Sequence, residues 1–190
     1  MSVGKRQSNQ LTATAYHEAG HAIVCHKLGF RVVRVTIVPT TSSVGHCTHE
    51  NMLRRVHLEY GNYGRLRLEK TIMVCLAGQI AQRLWQPRSV RHYHSHSDFR
   101  QAADLALHIN CSETAASAYL EWLSVRTKEI VGSSWRVIQA MATDLLEHGT
   151  ITVKQPSLNQ PITRRELEFF CERLTNHILR GGPECSNVAP

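Results

Sequence analysis

In the stretch "ATAYHEAGHAIV", from Ala13 to Val24, two histidines and a glutamate stand among apolar residues. A helix that is apolar around most of its circumference is typically buried. Polar groups buried in such a helix cost free energy unless a partner satisfies them. The side chains of His17, Glu18 and His21 therefore require a buried binding partner.

The spacing of these three residues points to a metal ion as that partner. His17 and His21 are four residues apart and share one face of a helix. Both imidazoles can then reach one ion at zinc's usual bond length to histidine, about 2.0–2.1 Å. Glu18 lies beside the ion but is free not to bind it, which suits a general base. This HExxH arrangement is the helical motif of zinc metalloproteases.

Length and composition favour one soluble domain in the cytoplasm. A chain of 190 residues is long enough for one well-cored domain. No apolar run approaches the roughly 20 residues that span a bilayer, so no membrane anchor is expected. The first residues, "MSVGKRQSNQ", lack the apolar core of a secretory signal. The six scattered cysteines form no CxxC pair, which predicts buried, reduced thiols.

The net charge of +7 and the pI of about 9.3 raise the question of nucleic-acid binding. The basic residues are spread along the chain, and no nucleic-acid motif accompanies them. Scattered arginines are typical of a solvated surface, so no nucleic-acid partner is expected. A basic nucleic-acid-associated protein remains the weakest alternative, which salt-dependent retention on DNA or RNA would support.

Most of the remaining chain is predicted as helix, with one β-hairpin. A first helix from Leu11 to about Leu28 is closed by Gly29. The β-branched stretch "RVVRVTIVP" and the later "VGHCTHE" predict two paired strands. Four further helical segments are predicted: Gly64 to Trp85, one opened by Asp98, a long region from Thr114 to Glu147 interrupted near "VGSS", and a last helix after a capping box at Thr163 to Glu166.

A catalytic zinc site needs a third protein ligand, and the sequence leaves several candidates. The extended HExxHxxGxxH form fails, because Val24 and Lys27 stand where glycine and histidine are required. Glu50 follows a strand and is poorly placed. The open candidates are one carboxylate and three loop histidines: Asp98, His92, His94 and His96.

Several segments resemble the FtsH-type zinc metalloproteases, the peptidase half of membrane-anchored AAA proteases. "AYHEAGHAIV" is similar to that family's zinc helix, "VVRVTIVPTTSSVGHCT" to its hairpin, and "CLAGQIAQRLW" to its next helix. "SDFRQAADLA" resembles the segment in which an aspartate opens a helix and supplies the third ligand. The resemblance implies zinc (Zn2+) as cofactor, His17, His21 and Asp98 as its ligands, and Glu18 as the base.

The position of Asp98 agrees with this ligand set, since a carboxylate at a helix N-terminus stays ionised, as a metal ligand must. The chain also departs from the family pattern. Where the family usually has "AEE", this chain has Ala81, Gln82 and Arg83, so those acids are missing. Nothing reads GxxxxGK[ST], and only ten residues precede the predicted zinc helix. Neither an ATPase nor an anchor is therefore expected.

The sequence thus predicts a mainly helical FtsH-like peptidase domain with a small β-hairpin. Residues 11–180 form the domain, 1–10 a disordered N-terminus and 181–190 a flexible tail. The predicted function is ATP-independent zinc endopeptidase activity on unfolded or flexible polypeptides, with a substrate strand pairing near Val35 to Val38. The alternative is a catalytically silent, zinc-stabilised binding or adaptor module. The resemblance implies a hexameric homo-oligomer and leaves open a separate unfoldase partner.

Overall fold

The computed structural model describes residues 3–40, 44–50, 52, 61–89, 96–110 and 112–152. The chain divides into two units, Met1–Lys154 and Gln155–Pro190, and the described residues belong to the first. This division falls inside the predicted domain of residues 11–180. The predicted last helix and the tail of residues 181–190 lie outside the described residues.

The described part of the chain is mostly helical, which confirms the predicted fold class. A 3-10 turn, Pro87–Ser89, follows the second helix. The helices and strands, in chain order, are α1 (Val3–Lys27), β1 (Val32–Thr36), β2 (His46–His49), α2 (Gly61–Trp85), α3 (His96–Ile109), α4 (Glu113–Ser133), α5 (Trp135–His148) and β3 (Thr150–Thr152). The predicted interruption of the long helical region is confirmed, because α4 and α5 meet at Ser134.

Helix α1 begins earlier than predicted. It begins at Val3 rather than Leu11, so the prediction of a disordered segment over residues 1–10 is wrong from Val3 onward. The polar composition of this segment suggested disorder, but Lys, Arg and Gln have good helix propensity. They extend a helix that is anchored by buried residues from Ala13 onward. At the other end Gly29 has a φ of 84°, as expected after a helix C-terminus.

The three strands form one antiparallel sheet in the order β2-β1-β3. The pairing of β1 with β2 confirms the predicted hairpin. Strand β3 was not predicted; it follows Gly149, whose φ is 72° and whose oxygen accepts a hydrogen bond from the Ile37 nitrogen at 2.9 Å. Strand β1 is therefore central, since Val35 pairs with Cys47 on one side and with Ile151 on the other. The prediction that a substrate strand pairs at Val35 to Val38 is wrong for this reason.

Helix α1 packs against α2 and α5, and α2 also packs against α3 and α4. An aromatic stack joins three of these helices: the Tyr16 ring lies 5.3 Å from Trp85 and 5.4 Å from Trp135, measured between ring centroids. Stacked rings of this kind add stabilisation beyond the area they bury. Because Tyr16 precedes His17, the stack fixes α1 next to the predicted zinc motif. None of the helices in the described ranges is long and apolar enough to cross a membrane.

Candidate metal centre

Three donor atoms from two helices meet at one point of the structure. The Nε2 atoms of His17 and His21 lie 3.0 Å apart. The Asp98 Oδ2 atom lies 3.1 Å from the first nitrogen and 3.3 Å from the second. Donor atoms bound 2.0–2.1 Å from a tetrahedral zinc ion are roughly 3.3 Å apart. The triangle therefore has the dimensions that a zinc ion requires.

The structure thus brings one of the open third-ligand candidates to the two histidines. Asp98 lies in the first turn of α3, close to the helix start that was predicted for it. His92 and His94 lie outside the described residues, and His96 is described only as the first residue of α3. Among the described residues, Asp98 alone completes a three-residue cluster with His17 and His21.

Helix α2 supplies the hydrogen-bond partners of both imidazoles. His21 Nδ1 lies 2.8 Å from the main-chain oxygen of Val74, which can only accept a hydrogen bond. Nδ1 therefore donates, and in neutral His21 the lone pair is on Nε2, which faces the other donor atoms. His17 Nδ1 lies 3.2 Å from Gln82 Oε1. Metal-binding histidines usually have such a partner at the second ring nitrogen.

The electrostatics of the cluster favour a positive charge at its centre. Burial raises the pKa of Asp98, but the hydrogen bonds and charges of His17 and His21 outweigh burial, so the pKa is lowered overall. Burial lowers the pKa of His21, but the hydrogen bond and charge of Asp98 outweigh it and raise the pKa to about 9. An arrangement that stabilises a proton on His21 also suits a metal ion, because the ion binds the deprotonated nitrogen in place of that proton.

Gly78 leaves the space that the cluster needs. A Cβ atom at this position would lie 2.3 Å from His21 Nε2 and 2.7 Å from His17 Nε2. Glycine inside a helix costs about 0.5–1 kcal/mol relative to alanine, so close approach accounts for its presence here. Two imidazoles, one ionised carboxylate and a glycine-lined space fit a zinc ion. Sequence reasoning missed Gly78, although a glycine inside an apolar helix is the usual signal of close packing.

Glu18 lies beside the cluster and is buried, with 7% of its surface exposed. Burial raises its pKa, and this effect exceeds the lowering by His21 and His17. A Cβ atom at Gly45 would lie 2.9 Å from Glu18 Oε1, so the carboxylate rests against the main chain just before β2. A carboxylate with a raised pKa, held close to a metal site, is suited to accept a proton.

The cluster opens into a cleft of about 740 Å³. One part of its wall is apolar and includes Met52, Val74 and the thiols of Cys47 and Cys75. Burial raises the pKa of Cys75 to about 12 and also raises that of Cys47, so both remain protonated thiols. Cys25, one turn beyond His21, is a fully buried free thiol of the core. Polar side chains also line the cleft: Asn9, Gln10, Thr14, Gln86, Arg88 and Gln101.

Comparison with known proteins decides the family. The model of peptidase family M41 matches residues 5–112, which include His17, Glu18, His21 and Asp98. The chain belongs to peptidase family M41. This confirms the resemblance to an FtsH-type peptidase domain, and the zinc metalloproteases of the M41 family use Zn2+.

The similar curated proteins are each named ATP-dependent zinc metalloprotease FtsH. The Thermus thermophilus protein is 38% identical over 97 residues, which cover 49% of this M41 chain and 14% of the relative. The Mycoplasmopsis synoviae protein is 35% identical over 77 residues, which cover 40% of this chain and 11% of the relative. The Magnetococcus marinus protein is 32% identical over 101 residues, which cover 52% of this chain and 14% of the relative. The matched stretch thus spans about a seventh or less of each relative.

The close approach at Gly78 generates a prediction for this M41 chain. In Gly78→Ala the new methyl group displaces the imidazole nitrogens, so zinc affinity should fall by more than about tenfold, as when a ligand's supporting contact is lost. The matched control is Gly132→Ala on α4, where an added Cβ meets nothing within 4 Å. This control should bind zinc like the wild type. Competition with a chromophoric chelator measures both affinities, and equal affinities would contradict the assigned role of Gly78.

Proposed function

We propose that this chain is a zinc metalloendopeptidase domain in which His17, His21 and Asp98 hold the ion and Glu18 is the general base. One observation carries the proposal: the three donor atoms lie 3.0–3.3 Å apart at the wall of an open cleft. Membership of the M41 family supports the choice of zinc and of peptide-bond hydrolysis.

The residues of the chain divide the chemistry between them. When bound, zinc lowers the pKa of a bound water towards about 7 and polarises a carbonyl group. Glu18 accepts the proton of the attacking water on its carboxylate and then delivers it to the leaving peptide nitrogen. Its burial excludes bulk water from the carboxylate and raises its pKa, which makes it the stronger base. In the metal-free site, burial raises the pKa of Asp98, but its interactions with His17 and His21 outweigh burial and hold the pKa low, so the carboxylate is ionised and available as a ligand.

The free edge of the sheet supports a mode of substrate binding. Strand β1 is paired on both sides, whereas the outer edge of β2 has no partner strand among the described residues. The cleft is lined by Gly45, His46 and Cys47 at the beginning of this strand, next to Glu18. An extended polypeptide can add to such an edge through main-chain hydrogen bonds that read little sequence. We therefore place the substrate strand along β2.

A binding or adaptor module that has kept zinc but lost turnover is the alternative function. The buried carboxylate of Glu18, placed beside the three donor atoms, favours hydrolysis over this alternative. The proposed partner is accordingly a polypeptide substrate. The hexameric ring that the resemblance implies stays a prediction. A separate unfoldase partner, which the resemblance leaves open, stays one as well.

Substitutions can test the role of the general base and the role of the metal ligands independently. Glu18→Gln should retain zinc and lose nearly all cleavage of unfolded casein, because only the proton acceptor is removed. Asp98→Ala should bind zinc more weakly, because one ligand is removed. Metal analysis after dialysis and cleavage with and without chelator measure both properties. Full cleavage by Glu18→Gln, or wild-type zinc affinity in Asp98→Ala, would exclude these roles.

The proposed substrate mode predicts which proteins are cleaved. A substrate segment must be extended, with free main-chain groups, to pair with β2. Native globular proteins rarely expose such a segment because their main-chain groups are already paired. The chain should therefore cleave an unfolded variant of a stable protein, spare the folded parent, and respond to neither addition nor removal of ATP. Gel-based cleavage of the matched pair tests this. Equal cleavage of both forms, or ATP-dependent cleavage by the purified chain, would be the contrary result.

A further inference from the structure

Gln82 on α2 is a buried polar side chain, 5% exposed, that contacts His17 on the side of the imidazole away from Asp98. Its Nε2 atom donates a hydrogen bond to the main-chain oxygen of Ser89 at 3.0 Å. Its Oε1 atom lies 3.2 Å from Nδ1 of His17. Because the Ser89 oxygen can only accept, the amide nitrogen must face Ser89 and the amide oxygen must face His17.

This orientation decides where His17 carries its proton. An amide oxygen accepts hydrogen bonds, so Nδ1 of His17 has to be the protonated nitrogen. The lone pair of neutral His17 then lies on Nε2, the atom 3.1 Å from Asp98 Oδ2. The main-chain oxygen of Val74 selects the same form of His21 at 2.8 Å. Both imidazoles therefore offer Nε2 to one point.

The amide is itself held in place by the turn that follows α2. The Ser89 nitrogen donates to the Gln86 oxygen at 2.9 Å, and the Ser89 hydroxyl donates to the same oxygen at 2.7 Å. The hydroxyl also lies 3.4 Å from the main-chain oxygen of Gln82. These bonds fix the Ser89 carbonyl against the end of α2, so that Gln82 is held at both ends of its amide group.

We propose that Gln82 is a positioning residue, which fixes the tautomer and the ring orientation of His17 for zinc binding. This inference rests on the proposed zinc site. It adds a requirement that the ligand set does not contain: without a hydrogen-bond acceptor at position 82, His17 can rotate or carry its proton on Nε2. Partners of this kind change metal affinity by about 10- to 100-fold when they are removed.

The test compares two substitutions of similar size. Gln82→Met fills a similar space but offers Nδ1 only a weak sulfur acceptor, so zinc affinity should fall by about 10- to 100-fold. Gln82→Glu keeps an acceptor oxygen for Nδ1 but cannot donate to the Ser89 oxygen, so it should recover most of the affinity that Gln82→Met loses. Gln139→Met, at an exposed position of α5, is the control and should bind zinc like the wild type.

Three measurements decide between positioning and mere structural support. Chelator competition gives the affinities, thermal unfolding of the metal-free proteins shows whether the fold is retained, and nitrogen-15 NMR of the zinc-loaded proteins reports the histidine tautomers. Wild-type affinity in Gln82→Met, or no recovery in Gln82→Glu, would overturn the inference. A wild type that binds zinc without cleaving casein contradicts the endopeptidase alone, whereas a wild type that binds no zinc overturns both proposals.

Discussion

The close crossing of α1 and α2 is the constraint on which the cluster of His17, His21 and Asp98 depends. A Cβ atom at Gly20 of α1 would lie 2.6 Å from the Ala81 Cβ atom and 2.8 Å from the Ala77 oxygen, so the two backbones nearly touch. On α2, Val74, Gly78 and Gln82 are spaced by four residues and share a face. Val74 holds His21, Gln82 holds His17, and Gly78 between them leaves room for both imidazoles. A larger side chain at either glycine would separate the helices or displace the rings.

The same packing explains why the cluster needs a cation. His17, Glu18 and His21 are each less than a tenth exposed, and burying charged groups is costly unless they are paired. Asp98 brings a carboxylate to the two histidines from α3, and Glu18 adds a second carboxylate nearby. A divalent ion held there, as proposed, would balance both carboxylates and would give the buried arrangement a physical reason beyond the packing of the helices.

The sequence predicted the parts of this arrangement that are local. The i, i+4 spacing placed His17 and His21 on one face, and the β-branched stretch placed the hairpin. Spacing alone left Asp98 among four candidates, and the family resemblance singled it out as the third ligand. The structure adds what depends on contacts between distant segments: the partners of the imidazoles on α2, and the short strand β3 that makes β1 central. Gly78 and Gln82 could not be assigned their roles from spacing, because the pairing of α1 with α2 was unknown. The early start of α1 was missed because polar composition resembles disorder.

X-ray absorption spectroscopy of the zinc-loaded protein at the zinc edge tests most directly whether His17, His21 and Asp98 bind the ion. We expect about one zinc per chain, bound near 2.0–2.1 Å by nitrogen and oxygen atoms from two imidazoles, one carboxylate and water. Cys47 and Cys75 line the same cleft and offer the competing donors. A sulfur contribution near 2.3 Å in the wild type, or a spectrum unchanged in His17→Ala, would contradict the assignment of the site.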